Sequence, residues 1–209
     1  MKQFFFLLLF ISVLVGSAQT KLGLKLAPVV ASNRATNDAQ TVDNDGSKLK
    51  LSVGLVVDKP LADNYFLSTG LFYVPKRAAF RTSDNLVMEE YKMQYLQIPA
   101  TLKLFTNEIA PDFKVYFQVG AGIDIKVFDE PEDPNNFAVE KFNPVDVSVI
   151  LGSGVEYRAG INTTIFAGIS YQRGLSNVVK ETDAITLAAE YQDLQIRNTI
   201  VSIDLGVKF

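Results

Sequence analysis

Apolar residues occur at every second position in four long segments of the chain. The clearest is residues 113–127, in which every odd-numbered residue from Phe113 to Val127 is apolar and most even-numbered residues are polar or glycine. Segments 48–58, 145–158 and 201–209 alternate in the same way. A period of two places successive side chains on opposite faces of a β-strand. These segments therefore predict strands with one apolar and one polar face.

Four weaker segments follow the same alternation, at residues 20–31, 65–75, 91–105 and 164–175. The total is eight strands, an even number. Several of them exceed the five or six residues that are usual in soluble β-proteins. They match instead the nine to eleven residues that a tilted transmembrane strand needs.

The connections between these strands alternate in length. The second, fourth and sixth strands end in short turns, at 59–64, 106–112 and 159–163. The other connections are polar runs of fifteen to nineteen residues, at 33–47, 76–90, 128–143 and 176–194. Outer-membrane barrels show this asymmetry, with the short turns facing the periplasm. The pattern predicts an all-β fold, an eight-stranded antiparallel up-and-down transmembrane β-barrel.

Alternation alone does not say which face of a barrel is inside, and a soluble barrel with an apolar interior has the same period. The first residues favour export. Lys2 precedes an apolar run of twelve residues interrupted only by Ser12, and small residues follow at Gly16-Ser17-Ala18. This is the pattern of a cleaved signal peptide, which predicts a leader at 1–18 and a barrel domain at 19–209. An uncleaved anchor is the alternative, but the run is too short to span a bilayer.

Composition narrows the chemistry. The chain has no Cys and no His, so disulfides, thiolate metal sites and Ser–His or Cys–His nucleophile pairs are excluded. Loss of Lys2 with the leader leaves 19 basic and 23 acidic residues, a net charge of −4. That mild acidity gives no reason to expect nucleic-acid binding. We expect a protein that is not an enzyme and has no cofactor and no metal site.

Charged residues recur on the polar face of the strands. Because an eight-stranded barrel is only wide enough for its own side chains, and isolated buried charges are costly, we expect acids and bases to pair inside it. The predicted lumen charge network consists of Lys50, Lys103, Asp124, Lys126, Asp146, Glu156, Arg158, Asp204 and Lys208.

Three further sites are candidates for binding or recognition. The last strand ends in Leu205, Val207 and Phe209 on one face, which resembles the C-terminal signal that the barrel assembly machinery recognises. The acidic run 129–134 is either a cation site or a solvated loop held stiff by two prolines. Lys76-Arg77, with Arg81 nearby, either contacts lipid phosphates or forms an ordinary loop base.

Several motifs resemble the PorT family of outer-membrane barrels from Bacteroidetes. They are Tyr95-Leu96-Gln97-Ile98-Pro99, the strand 149–157, Tyr171 to Asn177, and the ending Leu205-Gly206-Val207-Lys208-Phe209. Gln97 stands where an acid is common in the family, and Ser153 where a small Ala is common. The resemblance implies the fold and an outer-membrane location in a Gram-negative bacterium.

The resemblance also implies a connection with type IX secretion, but its motifs build the barrel and perform no chemistry. The leading functional hypothesis is a structural or interaction module. A narrow channel or transporter for a small solute or lipid-like ligand is the alternative. The expected partners are outer-membrane lipid and lipopolysaccharide, the barrel assembly machinery and secretion-system proteins.

Overall fold

The computed structural model describes residues 20–37, 42–82, 88–133, 138–182 and 194–209. Within these ranges there are eleven strands: β1 (Lys21–Thr36), β2 (Val42–Asn44), β3 (Ser47–Ala62), β4 (Tyr65–Thr82), β5 (Met88–Phe105), β6 (Phe113–Pro131), β7 (Val139–Phe142), β8 (Val145–Arg158), β9 (Thr164–Gly174), β10 (Val179–Thr182) and β11 (Gln195–Lys208). No helix in the described ranges has the length and apolar character needed to cross a bilayer.

The eight long strands form a closed antiparallel ring in the order β1-β3-β4-β5-β6-β8-β9-β11. The last strand pairs with the first from Gly23↔Lys208 to Thr36↔Gln195. This confirms the predicted eight-stranded barrel. β2 pairs with β4 at its long-loop end, and β7 pairs with β10 in a separate two-stranded ribbon.

Apolar side chains cover the outside of the wall. Val119, Leu151 and Ile203 are about half exposed, whereas Asp124 and Ser148, one position out of phase, are fully buried. Tyr65 and Tyr157 lie on the outer face near the short-turn end, where amphipathic rings suit a membrane interface. The period of two therefore sorts apolar residues outward and polar residues inward.

Several strands run further toward the long-loop end than the sequence predicts. β4 continues to Thr82 and β5 begins at Met88, so most of the segment predicted as the loop 76–90 is strand. β1 likewise reaches Thr36, and β6 reaches Pro131. The sequence predicts that these strands end where the residues on their outer, lipid-facing side are no longer apolar. The ladder continues beyond that point because its backbone pairing does not depend on a lipid-facing surface.

The predicted leader, residues 1–18, lies outside the described residues. Its cleavage after Ala18 stays a prediction.

Candidate functional site in the barrel lumen

Four charged side chains form a cluster inside the short-turn end of the barrel. Lys103 Nζ lies 2.7 Å from Glu156 Oε1 and 3.3 Å from Asp58 Oδ2. Lys208 Nζ lies 2.6 Å from the same Asp58 oxygen and also bonds Glu156 Oε1. All four residues are buried. Two ammonium groups and two carboxylates balance each other, which is the condition for keeping charge out of water.

Neutral groups complete this four-charge cluster. The Ser68 hydroxyl donates to Asp58 Oδ1 at 2.5 Å, and the Tyr116 ring lies with its centroid 4.0 Å from Lys103 Nζ. The ring fits because Gly168 has no side chain: a Cβ there would lie 2.4 Å from the Tyr116 hydroxyl. The cluster is therefore packed as well as neutral.

A second buried cluster lies nearer the long-loop end. Lys76 Nζ is 2.9 Å from Asp124 Oδ2 and 2.9 Å from Asp146 Oδ2. Gln97 Nε2 donates to Asp124 Oδ1 at 2.6 Å, and the Ser148 hydroxyl donates to Asp124 Oδ2 at 2.9 Å. One cation thus holds two carboxylates across the lumen.

Six of the nine residues of the predicted lumen charge network are buried in the lumen: Lys103, Asp124, Asp146, Glu156, Asp204 and Lys208. Five of them belong to the two clusters. Asp204 stands apart, with its Oδ1 3.4 Å from Lys25 Nζ.

The structure places Lys50 and Lys126 toward the long-loop end, outside both clusters. Lys50 Nζ donates to the Lys76 carbonyl at 2.5 Å. Lys126 Nζ pairs with Asp129 at 2.7 Å and also donates to the Phe142 carbonyl. Neither forms an ion pair with a buried lumen acid in the part of the chain that the structure describes.

The lumen position predicted for Arg158 is wrong. Its side chain is 53% exposed and pairs with Glu108 and Asp112. The physical reason is its position as the last residue of β8, where a long guanidinium side chain reaches water at the short-turn end.

Sequence reasoning missed two members of the clusters, Asp58 and Lys76. Asp58 has the same parity as Lys50 and Ser52 in the segment 48–58, so the alternation did mark it. The sequence predicts Lys76 in a loop, either as a lipid contact or as part of an ordinary loop base. Both alternatives are wrong, because β4 continues through Lys76 and turns its side chain inward. Arg77 does not reach lipid either: it is 2% exposed and donates to the Asp45 carbonyl at 2.6 Å.

Between the two clusters lies a layer of apolar side chains, which includes Val29, Val56, Phe72, Phe166 and Ile200. A cavity of about 60 Å³ remains in this layer. A few water molecules fit such a space, whereas pockets for small ligands usually measure about 300 to 1,000 Å³.

The ribbon of β7 and β10 covers the long-loop end of the lumen. Its Phe142 packs edge-on against Tyr91, with ring centroids 5.1 Å apart, within an apolar cluster of buried residues. Tyr91 donates to Glu89 at 2.6 Å and accepts from the Val139 amide at 3.0 Å. Glu89 also accepts from the Ala138 amide. These bonds attach the ribbon to β5, so the lumen ends in an apolar cap.

The residues predicted as an assembly signal lie on the outer face of the barrel, Leu205 and Val207 in β11 and Phe209 directly after it. Leu205 is 45% exposed and Phe209 is 63% exposed, with Val207 on the same face between them. The Phe209 backbone exchanges two hydrogen bonds with Leu22 of β1, at 2.8 and 3.1 Å. Phe209 therefore completes the seam that closes the ring. Its recognition by the assembly machinery stays a prediction.

The acidic run 129–134 is held by ion pairs as far as the structure describes it. Asp129 pairs with Lys126, and Glu132 lies 3.0 Å from Lys92. The hydrogen bond from Lys92 lowers the pKa of Glu132. Among the described residues there is no group of three or more acids, His or Cys placed to hold a metal ion. Pro134 lies outside the described residues.

Solved structures of outer-membrane proteins share this architecture. The outer membrane protein OprG from Pseudomonas aeruginosa superposes with a TM-score of 0.59 at 13% identity, over 91% of this chain and 95% of that one. Neisserial surface protein A gives a TM-score of 0.49 at 14% identity, over 91% and 97%. The likeness to OprG, at 13% identity, extends to the fold alone. No curated protein sequence matches the chain.

The family comparison is more direct than the structural one, because it matches sequence over most of the strands described above. The family model of the outer membrane protein beta-barrel domain matches residues 17–180. That range includes the strands from β1 to β9 and both halves of the ribbon up to Lys180. The chain belongs to the outer membrane protein beta-barrel domain family.

Proposed function

We propose that this protein is a non-enzymatic structural and interaction barrel that presents its long-loop end at the cell surface and does not conduct solutes. The observation that carries the proposal is the blocked lumen. The four-charge cluster, the Lys76 cluster and the apolar cap cross the interior at three successive heights.

Passage of a solute would require several of these contacts to break together. Separating Lys103 or Lys208 from its carboxylates would leave buried charges without partners, which is strongly unfavourable. The cavity between the two clusters measures only about 60 Å³, and the pocket of about 290 Å³ at the short-turn end is lined by Asp58, Glu156 and Lys208 of the four-charge cluster. An anchoring role is consistent with this packing, and a narrow channel for a small solute is the competing function.

The resemblance to the PorT family supports a partner in type IX secretion as the finer form of the proposal. The exposed surface of the ribbon offers polar side chains for such a contact, including Lys141 and Glu181, whose charged atoms lie 2.5 Å apart. The hydrogen bond between them raises the pKa of Lys141 and lowers that of Glu181. Both groups therefore stay charged near neutral pH.

Conductance separates the two functions. Purified protein reconstituted in planar bilayers should give no discrete current steps, while a general porin inserted under the same conditions gives them. Reproducible ion- or solute-dependent steps would reject the plugged anchor and support the channel.

Crosslinking in intact cells, followed by purification of the barrel and identification of the crosslinked proteins, tests for such a partner. The test variant is the charge-swapped double variant Lys141→Glu/Glu181→Lys, which keeps the local ion pair but exchanges the positions of its positive and negative charges. The wild type is its control. Loss of a crosslinked secretion-system component in this variant alone would support the ribbon as the contact surface. Absence of any secretion component from the wild-type sample would remove the type IX link.

A further inference from the structure

The wall of the barrel has a window between β3 and β4. β3 pairs with β4 from Ala62↔Tyr65 as far as Val53↔Tyr73, and pairing resumes only at Asn44↔Phe80 with β2. Between these points eight residues, 45–52, lie opposite six, 74–79. The longer segment must bow away from the shorter one, as at a large β-bulge.

Side chains close this window in place of the backbone ladder. Lys50 Nζ donates to the Lys76 carbonyl at 2.5 Å, and the Ser52 hydroxyl donates to the Tyr73 carbonyl at 2.7 Å. Pro75, near one end of the gap, has no N–H to offer a partner strand. The wall is therefore held here by groups that can exchange partners more easily than a strand ladder.

A cleft of about 330 Å³ opens at the window. Its floor is apolar, with Leu51, Tyr73 and Pro75, and extends to the buried Met93 of β5. Leu51 is 53% exposed on the outer surface, and Leu49, on the same face of β3 between the rim residues Lys48 and Lys50, is 75% exposed. The apolar part of the cleft is thus continuous with the lipid-facing wall.

The rim of the cleft is charged, with three lysines and two glutamates: Lys48, Lys50, Lys92, Glu90 and Glu132. Lys48 Nζ lies 2.9 Å from Glu90 and 3.7 Å from Glu132, and Lys92 Nζ lies 3.0 Å from Glu132. Lysines are therefore in excess by one. The window lies toward the long-loop end, which faces outward in barrels of this type, at the height where the apolar surface gives way to charge.

We infer that this cleft binds a phosphate-bearing glycolipid of the outer leaflet. The phosphate would contact the ammonium groups of Lys48, Lys50 and Lys92, and an acyl chain would lie over Leu49 and Leu51. Ammonium groups are effective point-charge ligands for phosphate. The combination of a cationic rim with an apolar floor that runs into the membrane surface fits an anionic amphiphile better than a soluble anion.

In this arrangement Glu132 acts as an internal competitor for the phosphate. It is 37% exposed, lies beyond the end of β6, and neutralises two of the rim lysines. Removing its charge should therefore strengthen lipid binding. A purely structural salt bridge would give no such gain.

The test uses the full mature barrel in mild detergent and counts retained lipid by native mass spectrometry. The probes are diphosphorylated lipid A, lipid A stripped of phosphate, and phosphatidylglycerol. We expect the wild type to retain diphosphorylated lipid A preferentially, and Lys48→Gln/Lys50→Gln to reduce its affinity by about tenfold or more, since each lysine near a lipid phosphate contributes about fivefold. Lys59→Gln, at the opposite end of β3, is the matched control and should leave retention unchanged.

Two further variants keep the inference falsifiable if the double variant folds poorly. Lys50→Arg should retain the lipid, and Glu132→Gln should bind it about fivefold more tightly, because one opposing charge is lost. Equal retention of phosphate-free lipid A, equal retention of phosphatidylglycerol, or an unchanged affinity in Glu132→Gln would each overturn the site. These outcomes do not depend on whether the barrel conducts solutes or contacts secretion proteins.

Discussion

The charged residues of the lumen are stable inside the barrel because each has a partner of opposite sign in contact. In the four-charge cluster, Asp58 and Glu156 each form ion pairs with both Lys103 and Lys208. Such sharing means that one substitution changes the surroundings of three other charged groups. Removing one member therefore costs more than the loss of a single pair.

Glu156→Gln should destabilise the folded barrel by about 3 to 5 kcal/mol, because two buried cations would then share one carboxylate. Adding Lys208→Met to this variant restores neutrality and should recover part of the loss. The measurement is urea unfolding in lipid vesicles, followed by far-UV circular dichroism because the chain contains no Trp. Arg158→Gln removes two exposed ion pairs, to Glu108 and Asp112, and should cost at most about 1 kcal/mol. A double variant less stable than Glu156→Gln alone would contradict the charge-balance argument.

A charge placed on the outer face tests the membrane position of the wall. Val119, in the middle of β6 and 47% exposed, pairs with Leu102 and Leu151. Val119→Arg should cost about 2 to 4 kcal/mol if the site is at the bilayer midplane. Ile161→Arg, at a fully exposed position in a short turn, should change stability by no more than about 0.5 kcal/mol. Similar losses in both variants, measured by the same unfolding assay, would show that the wall does not face lipid.

Parity along a strand predicts which face a residue occupies, but not how far the strand extends. Asp58 is an even-numbered residue of the segment 48–58, on the same strand face as Lys50 and Ser52, and the sequence predicts a lumen position for its partners Lys103, Glu156 and Lys208. Lys76 could not be placed in the same way, because the alternation of apolar residues fades before it while the ladder continues. Arg158 shows the converse: correct parity does not bury a long side chain at the end of a strand.

At the scale of elements, the eight long strands follow from alternation, whereas the short strands do not. β7 and β10 contain four residues each and pair across a long stretch of chain, so neither has enough periods to be recognised. Their position over the lumen depends on contacts with β5, such as that of Phe142 with Tyr91. The window between β3 and β4 depends on register, which the sequence of either strand alone does not specify.

Deleting Phe209 should reduce the amount of assembled barrel in cells more than it reduces stability in vitro. Phe209 is 63% exposed, so its equilibrium contribution should fall below the roughly 1.5 to 3 kcal/mol of a fully buried large side chain. Recognition by the assembly machinery would act instead on yield, since an unassembled chain is degraded. The experiment compares refolding in detergent with the level of heat-modifiable protein in cell envelopes.

The chain ending at Lys208 also loses the two backbone hydrogen bonds to Leu22. Phe209→Ala separates the two effects, because it keeps these bonds and removes only the ring. Normal cellular assembly of Phe209→Ala would show that the aromatic ring is not part of a recognition signal.

At the scale of the whole molecule, membership in the family and the closed fold place the barrel in the outer membrane. The protein should fractionate with outer membranes and migrate faster on gels before heating than after, because the closed barrel resists detergent unfolding. Recovery as a soluble periplasmic protein would contradict this, and would favour a barrel with its apolar face inside.

The exported protein should begin at Gln19. Intact mass spectrometry of the membrane-extracted chain should give the mass of residues 19–209, since the sequence around Ala18 has the small residues that signal peptidase requires. N-terminal sequencing is the independent check. A mass that retains the first 18 residues would show that the leader is an anchor.

Because β1 pairs with β11, each long strand has two neighbours, and no long strand lies at an edge of the sheet. Phe209 is hydrogen-bonded to Leu22, so both ends of the described chain lie side by side at the short-turn rim. A brief linker could join them, and new termini could be opened in the turn at 159–163 without changing any strand pairing. Such a circular permutant would keep every strand pairing while making β8 the last strand to be synthesised. A permutant that refolds in vitro but assembles poorly in cells would show that assembly depends on which strand comes last.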